Sequence, residues 1–172
     1  MSIFARSYTQ GIFYPKHPEK CLNLNGQISA KPPEYRSSWE YKFMHYCDER
    51  ARVIEWGSEI FKIPYYSEVD GKTHQYVTDF YFACQPVHGN GEIKKYVCEV
   101  KPKSQVANLN ENGEVIYPDP PKIKSQKAIN SWQERCNVIR INNCKWRAAR
   151  KWCKENGYIF KILTEDQIGV WK

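Results

Sequence analysis

The sequence lacks the patterns that mark a membrane protein, a secreted protein or a disulfide-stabilised domain. Its 172 residues contain no apolar run near the roughly 18 residues of a membrane span, and residues 1–7 carry no stretch like that of a secretory signal. The seven cysteines are an odd number and form no CxxC pair, which argues against a disulfide framework and against a zinc knuckle. We therefore expect a soluble protein in a reducing cytoplasm.

Acidic residues are fewer than basic ones. The chain has 26 Lys and Arg against 19 Asp and Glu, a formal net charge of +7. This surplus favours a polyanionic partner, because Lys and Arg release the counterions condensed on nucleic-acid phosphates. A solvated basic surface is equally compatible with the charge alone. With 41% hydrophobic and 15% aromatic residues and no internal repeat, the length predicts one packed domain.

Residues 1–36 differ in pattern from the rest of the chain. They contain four prolines and no sustained hydrophobic period, which predicts an extended arm that lies on the domain or on a partner. The folded domain is expected to span residues 37–172. It begins with Ser37-Ser38-Trp39-Glu40, which has the form of a capping box, and apolar residues at helical spacing then predict a helix over residues 38–50.

The middle of the chain has the pattern of strands. Four β-type runs, separated by turn signals at Asp70-Gly71 and Gly89-Asn90-Gly91, predict an antiparallel meander over residues 53–56, 59–66, 74–85 and 93–103. The stretch 104–122 is polar, proline-rich and contains Asn112-Gly113, which predicts a long loop with a turn.

The last third of the chain returns to helical periodicity. Two helices are predicted over residues 125–135 and 142–155, followed by a strand over 158–163 and a short helix that opens at Thr164. This order of elements predicts an α+β fold, an α/β/α sandwich in which helices flank a mixed sheet.

Carboxylates interrupt two neighbouring strands of the predicted meander. Strand alternation in residues 76–82 places Asp79 in the middle of a strand, on the face opposite to Tyr76. In the next strand Glu99 and Lys101 stand two positions apart and share a face. If the two strands pair, two acids and one base converge.

Such a cluster has the residue types of a magnesium-dependent hydrolase. Two converging carboxylates repel each other unless a cation lies between them, and oxygen ligands suit Mg²⁺, with Mn²⁺ as a substitute. The metal would polarise a scissile phosphate, and Lys101 would orient the attacking water or stabilise the developing charge. Taken singly, each of these residues is as readily an exposed strand residue, but acids are disfavoured within aromatic and β-branched strands.

Asp79-Phe80 followed by Glu99-Val100-Lys101 resembles the signature of the PD-(D/E)XK nucleases, with Thr78 where that family often has proline. The family also commonly takes a glutamate from the preceding helix, which in this chain matches Glu40. The resemblance therefore implies Glu40, Asp79, Glu99 and Lys101 as catalytic residues, with the three acids as metal ligands. The capping box is a second role for Glu40.

A wider set of segments narrows the resemblance to nucleases of phages and transposons. The set consists of Arg36-Ser37-Ser38-Trp39-Glu40, Trp56-Gly57-Ser58-Glu59, Ile63-Pro64-Tyr65, His74, the two catalytic segments, Lys145-Trp146 and residues 160–165. It is similar to the head-completion nuclease family of contractile-tailed phages and, more distantly, to the TnsA endonuclease of Tn7-like transposons. The resemblance implies a restriction-endonuclease-like fold, Mg²⁺ dependence, and processing of packaged double-stranded DNA or DNA ends. It also implies portal or neck proteins as further partners, and a location in the host cytoplasm or on the virion.

Basic residues outside the cluster are candidates for DNA contacts. The helix over 142–155 has a basic face opposite an apolar one, and Lys122, Lys124 and Lys127 extend the same charge. The predicted DNA-binding residues are Lys103, Gln105, Lys127, Arg147, Arg150, Lys151 and Lys154. A solvated face is the alternative. Glu59 is a candidate for a position near the metal, but a surface glutamate before a strand is the commoner case. His45 and His74 have no partner that spacing identifies, and all three residues stay outside the predicted site.

Three functions remain open from the sequence. The first is a metal-dependent endonuclease that trims packaged phage DNA. The second is a structural head-completion protein that binds the DNA terminus at the portal vertex with little or no cleavage. The third is a transposase or repair nuclease that works with a partner subunit. The acid-acid-base cluster argues against a purely structural role, because clustered like charges cost stability.

Overall fold

In the part of the chain that the structure describes, five consecutive strands separate the two long helices. The computed structural model describes residues 10–25, 31–86, 91–106, 109–111, 114–123 and 125–168. Within them the elements are β1 (Gly11–Ile12), β2 (Glu34–Tyr35), α1 (Ser38–Glu49), β3 (Val53–Ser58), β4 (Lys62–Ser67), β5 (Lys72–Val77), β6 (Phe80–Cys84), β7 (Lys94–Val100), α2 (Gln126–Glu155), β8 (Ile159–Leu163) and α3 (Glu165–Ile168). No helix in these ranges is both long and apolar enough to cross a membrane.

A four-stranded mixed sheet lies at the centre, in the order β3-β6-β7-β8. The first three strands pair antiparallel, and β8 pairs parallel with β7. On one face of the sheet, Phe80 and Cys98 pack against α1 and α3. On the other face, Val97 packs against Cys153 of α2. The predicted α/β/α sandwich with a mixed sheet is therefore confirmed.

Helix α1 begins where the capping box predicts. The Ser37 hydroxyl accepts a hydrogen bond from the Glu40 backbone N–H at 3.1 Å, and a cap of this kind contributes about 1 kcal/mol. Phe43, Met44 and Cys47 are fully buried against the sheet. The local signal and the packing agree here, which explains why the predicted bounds of this helix differ from the observed ones by one residue.

Helix α2 corrects the prediction of two separate helices. It is one helix of 30 residues, from Gln126 to Glu155. The six residues between the predicted helices include no Gly or Pro, so nothing in the backbone stops propagation. Asn142 is not a helix start but a buried position on the inner face.

The predicted strand over residues 74–85 is also wrong as a single element. It divides into β5, which pairs with β4 in a separate two-stranded sheet, and β6 in the central sheet. Between the two ladders, residues 59–61 stand opposite residues 78–79, so three residues face two in a β-bulge. Glu59 adopts φ 55° at this bulge. The β4–β5 hairpin and the β3–β6 pair of the central sheet therefore bend apart at this bulge. As a result, strand alternation does not continue from Tyr76 to Asp79.

The described part of residues 1–36 packs on the domain. Phe13 is 3% exposed and lies edge-on to Trp56. The backbone N–H groups of Lys16 and His17 donate to the buried carboxylate of Asp48 at 2.7 and 3.1 Å. The segment thus satisfies a buried acid of α1 that would otherwise be costly.

The predicted turns differ in how much of them the structure describes. Gly71 is confirmed in its turn with φ +67°, and its N–H donates to the Ser67 carbonyl at 2.9 Å. The turn at Gly89-Asn90-Gly91 lies outside the described residues except for Gly91, and the turn at Asn112-Gly113 lies outside them altogether. In the described part of the 104–122 stretch, a 3-10 turn ends at Gln105 and a single bridge joins Leu109 to Val115.

Candidate active site

The β-bulge brings Asp79 against the end of β7. Its backbone carbonyl accepts the Glu59 N–H at 3.0 Å, and its carboxylate Oδ2 accepts the Val100 N–H at 2.8 Å. Asp79 is therefore not in the middle of a strand, as alternation predicts, but in the bulge between β5 and β6. Bulges commonly redirect a side chain in this way beside functional sites.

Glu99 and Lys101 lie next to Asp79 at the same end of the sheet. Glu99 is only 3% exposed, and its Oε1 lies 2.9 Å from the Lys101 ammonium. Its second oxygen, Oε2, accepts a hydrogen bond from the Tyr76 hydroxyl at 2.5 Å. The Lys101 N–H donates to the Leu163 carbonyl of β8 at 3.0 Å, which fixes the backbone as it leaves the sheet.

The two acids are electrostatically coupled. Burial, followed by repulsion from Glu99, raises the pKa of Asp79 from 3.8 to about 8. Attraction to Lys101 and the Val100 N–H oppose this rise without cancelling it. A proton or a cation beside the pair would relieve the repulsion.

Lys101 remains protonated beside these acids. Burial acts to lower the pKa of its ammonium, but the charges of Glu99 and Asp79 outweigh it and the net shift is upward. The ammonium therefore acts as a fixed positive charge and hydrogen-bond donor at neutral pH, and not as a base.

Glu40 lies within electrostatic range of the cluster. Its charge contributes to the raised pKa of both Asp79 and Lys101. The carboxylate itself is engaged at the start of α1, where Oε2 accepts the Arg36 N–H at 2.7 Å and Oε1 accepts the Ser37 hydroxyl at 3.1 Å. The capping role inferred from the sequence is thus observed, and a metal-binding role requires this carboxylate to leave its cap.

Two residues at this site were not among the site residues predicted from the sequence. Tyr76 contacts Glu99, although alternation across the undetected bulge placed it away from the acids. The Lys145 ammonium on α2 lies 5.8 Å from the Tyr76 ring centroid and 5.9 Å from that of Tyr65. The available signal for Lys145 was its place between two apolar residues of α2, Cys144 and Trp146, which are both buried.

The predicted DNA-binding residues are exposed, but several have protein partners. Lys103 pairs with Asp166 at 2.7 Å, and Arg147 pairs with Glu68 at 2.6 Å. The remaining exposed members are Gln105, Lys127, Arg150, Lys151 and Lys154, of which Arg150 lies over the Phe160 ring and Lys151 is 4.0 Å from Glu155. Their contact with DNA stays a prediction.

The basic residues of α2 lie at different positions along the helix relative to the acidic cluster. The segment around Cys144 and Trp146 packs with Tyr76, at the end of the sheet where Glu99 lies. Cys153 packs with Val97, in the middle of β7. At a rise of 1.5 Å per residue, Lys154 lies roughly 14 Å farther along the helix than Lys145. Lys145 thus lies beside Tyr76, whose hydroxyl contacts Glu99.

The residues left outside the predicted site have structural partners. Glu59 forms an ion pair with Arg36 at 2.5 Å. His74 lies 2.8 Å from Asp70 at the tip of the β4–β5 hairpin, and His45 packs edge-on to Phe13. None of these contacts connects them to Glu99.

The donor set at the cluster fits a hard divalent cation. Asp79 and Glu99 supply carboxylate oxygens, and Mg²⁺ is commonly held by one or two carboxylates together with waters and substrate phosphate. Within the described ranges, no group of three or more His, Cys, Asp or Glu side chains is arranged to hold a metal ion. The fit therefore rests on the buried Glu99 and the partly buried Asp79, with Glu40 nearby.

Comparison with known proteins identifies the domain. Residues 50–165, more than half of the chain, match the family model described as TnsA-like endonuclease N terminal. The chain belongs to the TnsA-like endonuclease family. It is also 30% identical over 132 residues to the head completion nuclease of Enterobacteria phage T4, across 77% of this chain and 78% of that protein. The resemblance inferred from the sequence motifs is confirmed.

The TnsA-like match covers most of the cluster. Asp79, Glu99 and Lys101 lie inside the matched residues, whereas Glu40 lies before their start. The restriction-endonuclease-like fold predicted for the domain agrees with this family and with the observed mixed sheet. The chain is accordingly an endonuclease by family.

Proposed function

We propose that this TnsA-like protein is a Mg²⁺-dependent endodeoxyribonuclease whose active site is formed by Asp79, Glu99 and Lys101. The observation that supports it best is the meeting of the buried Glu99 carboxylate, the partly buried Asp79 carboxylate and the Lys101 ammonium at one end of the sheet, with the pKa of Asp79 raised by burial and by Glu99. Folding alone does not require this cluster, because buried like charges are unfavourable without a cation between them.

Each residue has a distinct role in this proposal. Asp79 and Glu99 bind the cation, and bound Mg²⁺ supplies polarisation of the phosphate and a lowered pKa for the attacking water. Lys101 orients that water or stabilises the charge that develops on the phosphate. Glu40 serves as a third acid once it leaves its cap. Mn²⁺ is the expected substitute for Mg²⁺ because it accepts the same oxygen ligands.

The proposed substrate is double-stranded DNA, and in particular a DNA end at the completion of a phage head. The name of the T4 relative, a head completion nuclease, supports this role. The net charge of +7 supports a polyanionic substrate. We propose Lys145 as a phosphate contact close to the site, with Lys103, Gln105, Lys127, Arg147, Arg150, Lys151 and Lys154 along the flanking surface. Portal or neck proteins are the proposed further partners, in the host cytoplasm or on the virion.

The nuclease proposal is tested by incubating supercoiled plasmid and linear duplex DNA with the purified protein in Mg²⁺, Mn²⁺ or EDTA. Cleavage that needs metal and is lost in Asp79→Ala and Lys101→Ala, with both variants folded by circular dichroism, supports it. Cleavage that persists in EDTA contradicts it.

A second candidate is a structural head-completion protein that binds the DNA terminus without cutting it. Two observations favour it: Glu40 is engaged in the helix cap, and no three-ligand metal group is assembled among the described residues. Binding of duplex ends at physiological salt, together with no cleavage of any substrate in either metal, supports this candidate.

A third candidate, a nuclease subunit that needs a partner, is supported by the match to the TnsA-like family. It predicts that cleavage appears only when a partner protein is added. The same Asp79 and Lys101 variants then abolish the restored activity.

A further inference from the structure

Tyr76 makes the shortest contact to the acidic cluster. The residue is 3% exposed at the end of β5, and its hydroxyl donates to Glu99 Oε2 at 2.5 Å. Burial and the charge of Glu99 raise the pKa of this phenol above its ordinary value of 10. The phenol therefore stays protonated at neutral pH and is the donor in this contact.

The contact fixes the side chain that the proposed metal site depends on. Lys101 occupies one oxygen of Glu99 and Tyr76 occupies the other. An ionised carboxylate has about four lone-pair positions, so each oxygen still has a position free for a cation. Hydrogen bonds of this type orient carboxylate ligands, and their loss typically lowers metal affinity or activity about 10- to 100-fold.

The surroundings hold Tyr76 in place on the side away from Glu99. Its ring belongs to the core cluster of Ile63, Tyr65 and Trp146 on the α2 side of the sheet. Lys145 lies over the same ring. Since β5 is paired with β4 along its whole length, the hydroxyl is positioned by two packed elements and not by a mobile loop.

We infer that Tyr76 is a positioning residue for the reaction, which orients Glu99 for the divalent cation through its hydroxyl; this rests on the proposed function. Tyr76 is not a catalytic residue, because it acts on the cation and on DNA only through Glu99. Its removal should therefore weaken metal binding and leave the affinity for DNA unchanged.

The central sheet contains a matched control. The Tyr81 hydroxyl donates to Glu55 Oε1 at 2.5 Å, so Tyr81→Phe deletes a Tyr–Glu hydrogen bond of equal length. The two variants each lose one oxygen and keep the ring. A purely structural role predicts similar behaviour for both.

The test is a titration of wild type, Tyr76→Phe and Tyr81→Phe with Mn²⁺ by isothermal titration calorimetry without DNA. Each protein is first checked for folding by circular dichroism at the temperature of the titration. We expect Tyr76→Phe to bind Mn²⁺ about 10- to 100-fold more weakly than wild type, with Tyr81→Phe unchanged. In cleavage assays, Tyr76→Phe should need correspondingly more Mg²⁺ for half-maximal rate, with an unchanged KM for DNA.

The alternatives lead to different conclusions. If Tyr76→Phe binds Mn²⁺ as wild type does, or if both variants weaken equally, the positioning role is overturned while the proposed function stands. If the wild type itself binds no Mn²⁺ and cleaves no DNA, the proposed metal-dependent function fails and the inference fails with it.

Discussion

Removal of the charge of Asp79 should make the metal-free protein more stable. Asp79→Asn keeps an oxygen that can accept the Val100 N–H. It deletes a carboxyl group whose pKa burial and Glu99 raise from 3.8 to about 8. The folded protein therefore keeps a proton that the unfolded chain releases, so the wild type loses stability as the pH rises from about 4 to about 8.

The size of this change in stability follows from the upward shift in the pKa of Asp79. At about 1.4 kcal/mol per pKa unit, the whole interval corresponds to an upper limit of about 6 kcal/mol. Asp79 is partly exposed and Lys101 is close, so water and the ammonium reduce the penalty. We expect Asp79→Asn to raise the free energy of unfolding by about 2 kcal/mol at pH 8, and by much less at pH 4 to 5.

The assay is urea denaturation of both proteins in EDTA at several values of pH between 4 and 9. Asp70→Asn is the control, because its exposed carboxylate bonds to His74, which lowers the pKa of Asp70, and the variant should lose stability and not gain it. The free energy of unfolding of Asp79→Asn should exceed that of wild type by an amount that grows with pH. A difference that stays constant with pH, or that has the opposite sign, refutes the repulsion between Asp79 and Glu99.

Two further variants probe the edges of the site. Glu40→Gln removes the negative charge that the proposed metal site uses, so it should lower the cleavage rate at least about tenfold. The amide can still cap α1, so the melting temperature should hardly change. Cleavage at the wild-type rate would limit Glu40 to capping. Lys145→Gln should weaken binding to a short duplex and reduce the slope of log affinity against log salt by about 0.9, with a smaller loss for Lys154→Gln. Equal losses in the two lysine variants, measured by fluorescence anisotropy, would contradict the proposed position of the DNA.

The features that the sequence could predict depend on local signals. Helix α1 has its capping box within four residues, and β7 is a continuous β-type run that carries Glu99, with Lys101 directly after its last residue. Asp79 could be paired with them because its strand neighbours theirs in the chain. At these positions the local sequence pattern predicts the same secondary structure that is observed in the fold.

The features that the sequence could not predict depend on tertiary structure. The bulge is formed by Glu59, a residue type that rarely adopts positive φ, and no glycine marks it. Without the bulge, alternation places Tyr76 on the wrong side of the sheet. The continuity of α2 is likewise supported by its packing against β4 and β8, which the periodicity of the helix alone does not reveal.

The proposed role of Glu99 as a ligand of the catalytic cation is tested by one pair of isosteric variants. Glu99→Gln should reduce single-turnover cleavage of linear duplex DNA in Mg²⁺ by more than about 100-fold and weaken Mn²⁺ binding. Glu55→Gln, which alters the matched Tyr81 contact, should leave both unchanged. Cleavage by Glu99→Gln at the wild-type rate in Mg²⁺ would contradict the proposed role of Glu99 as a ligand of the catalytic cation.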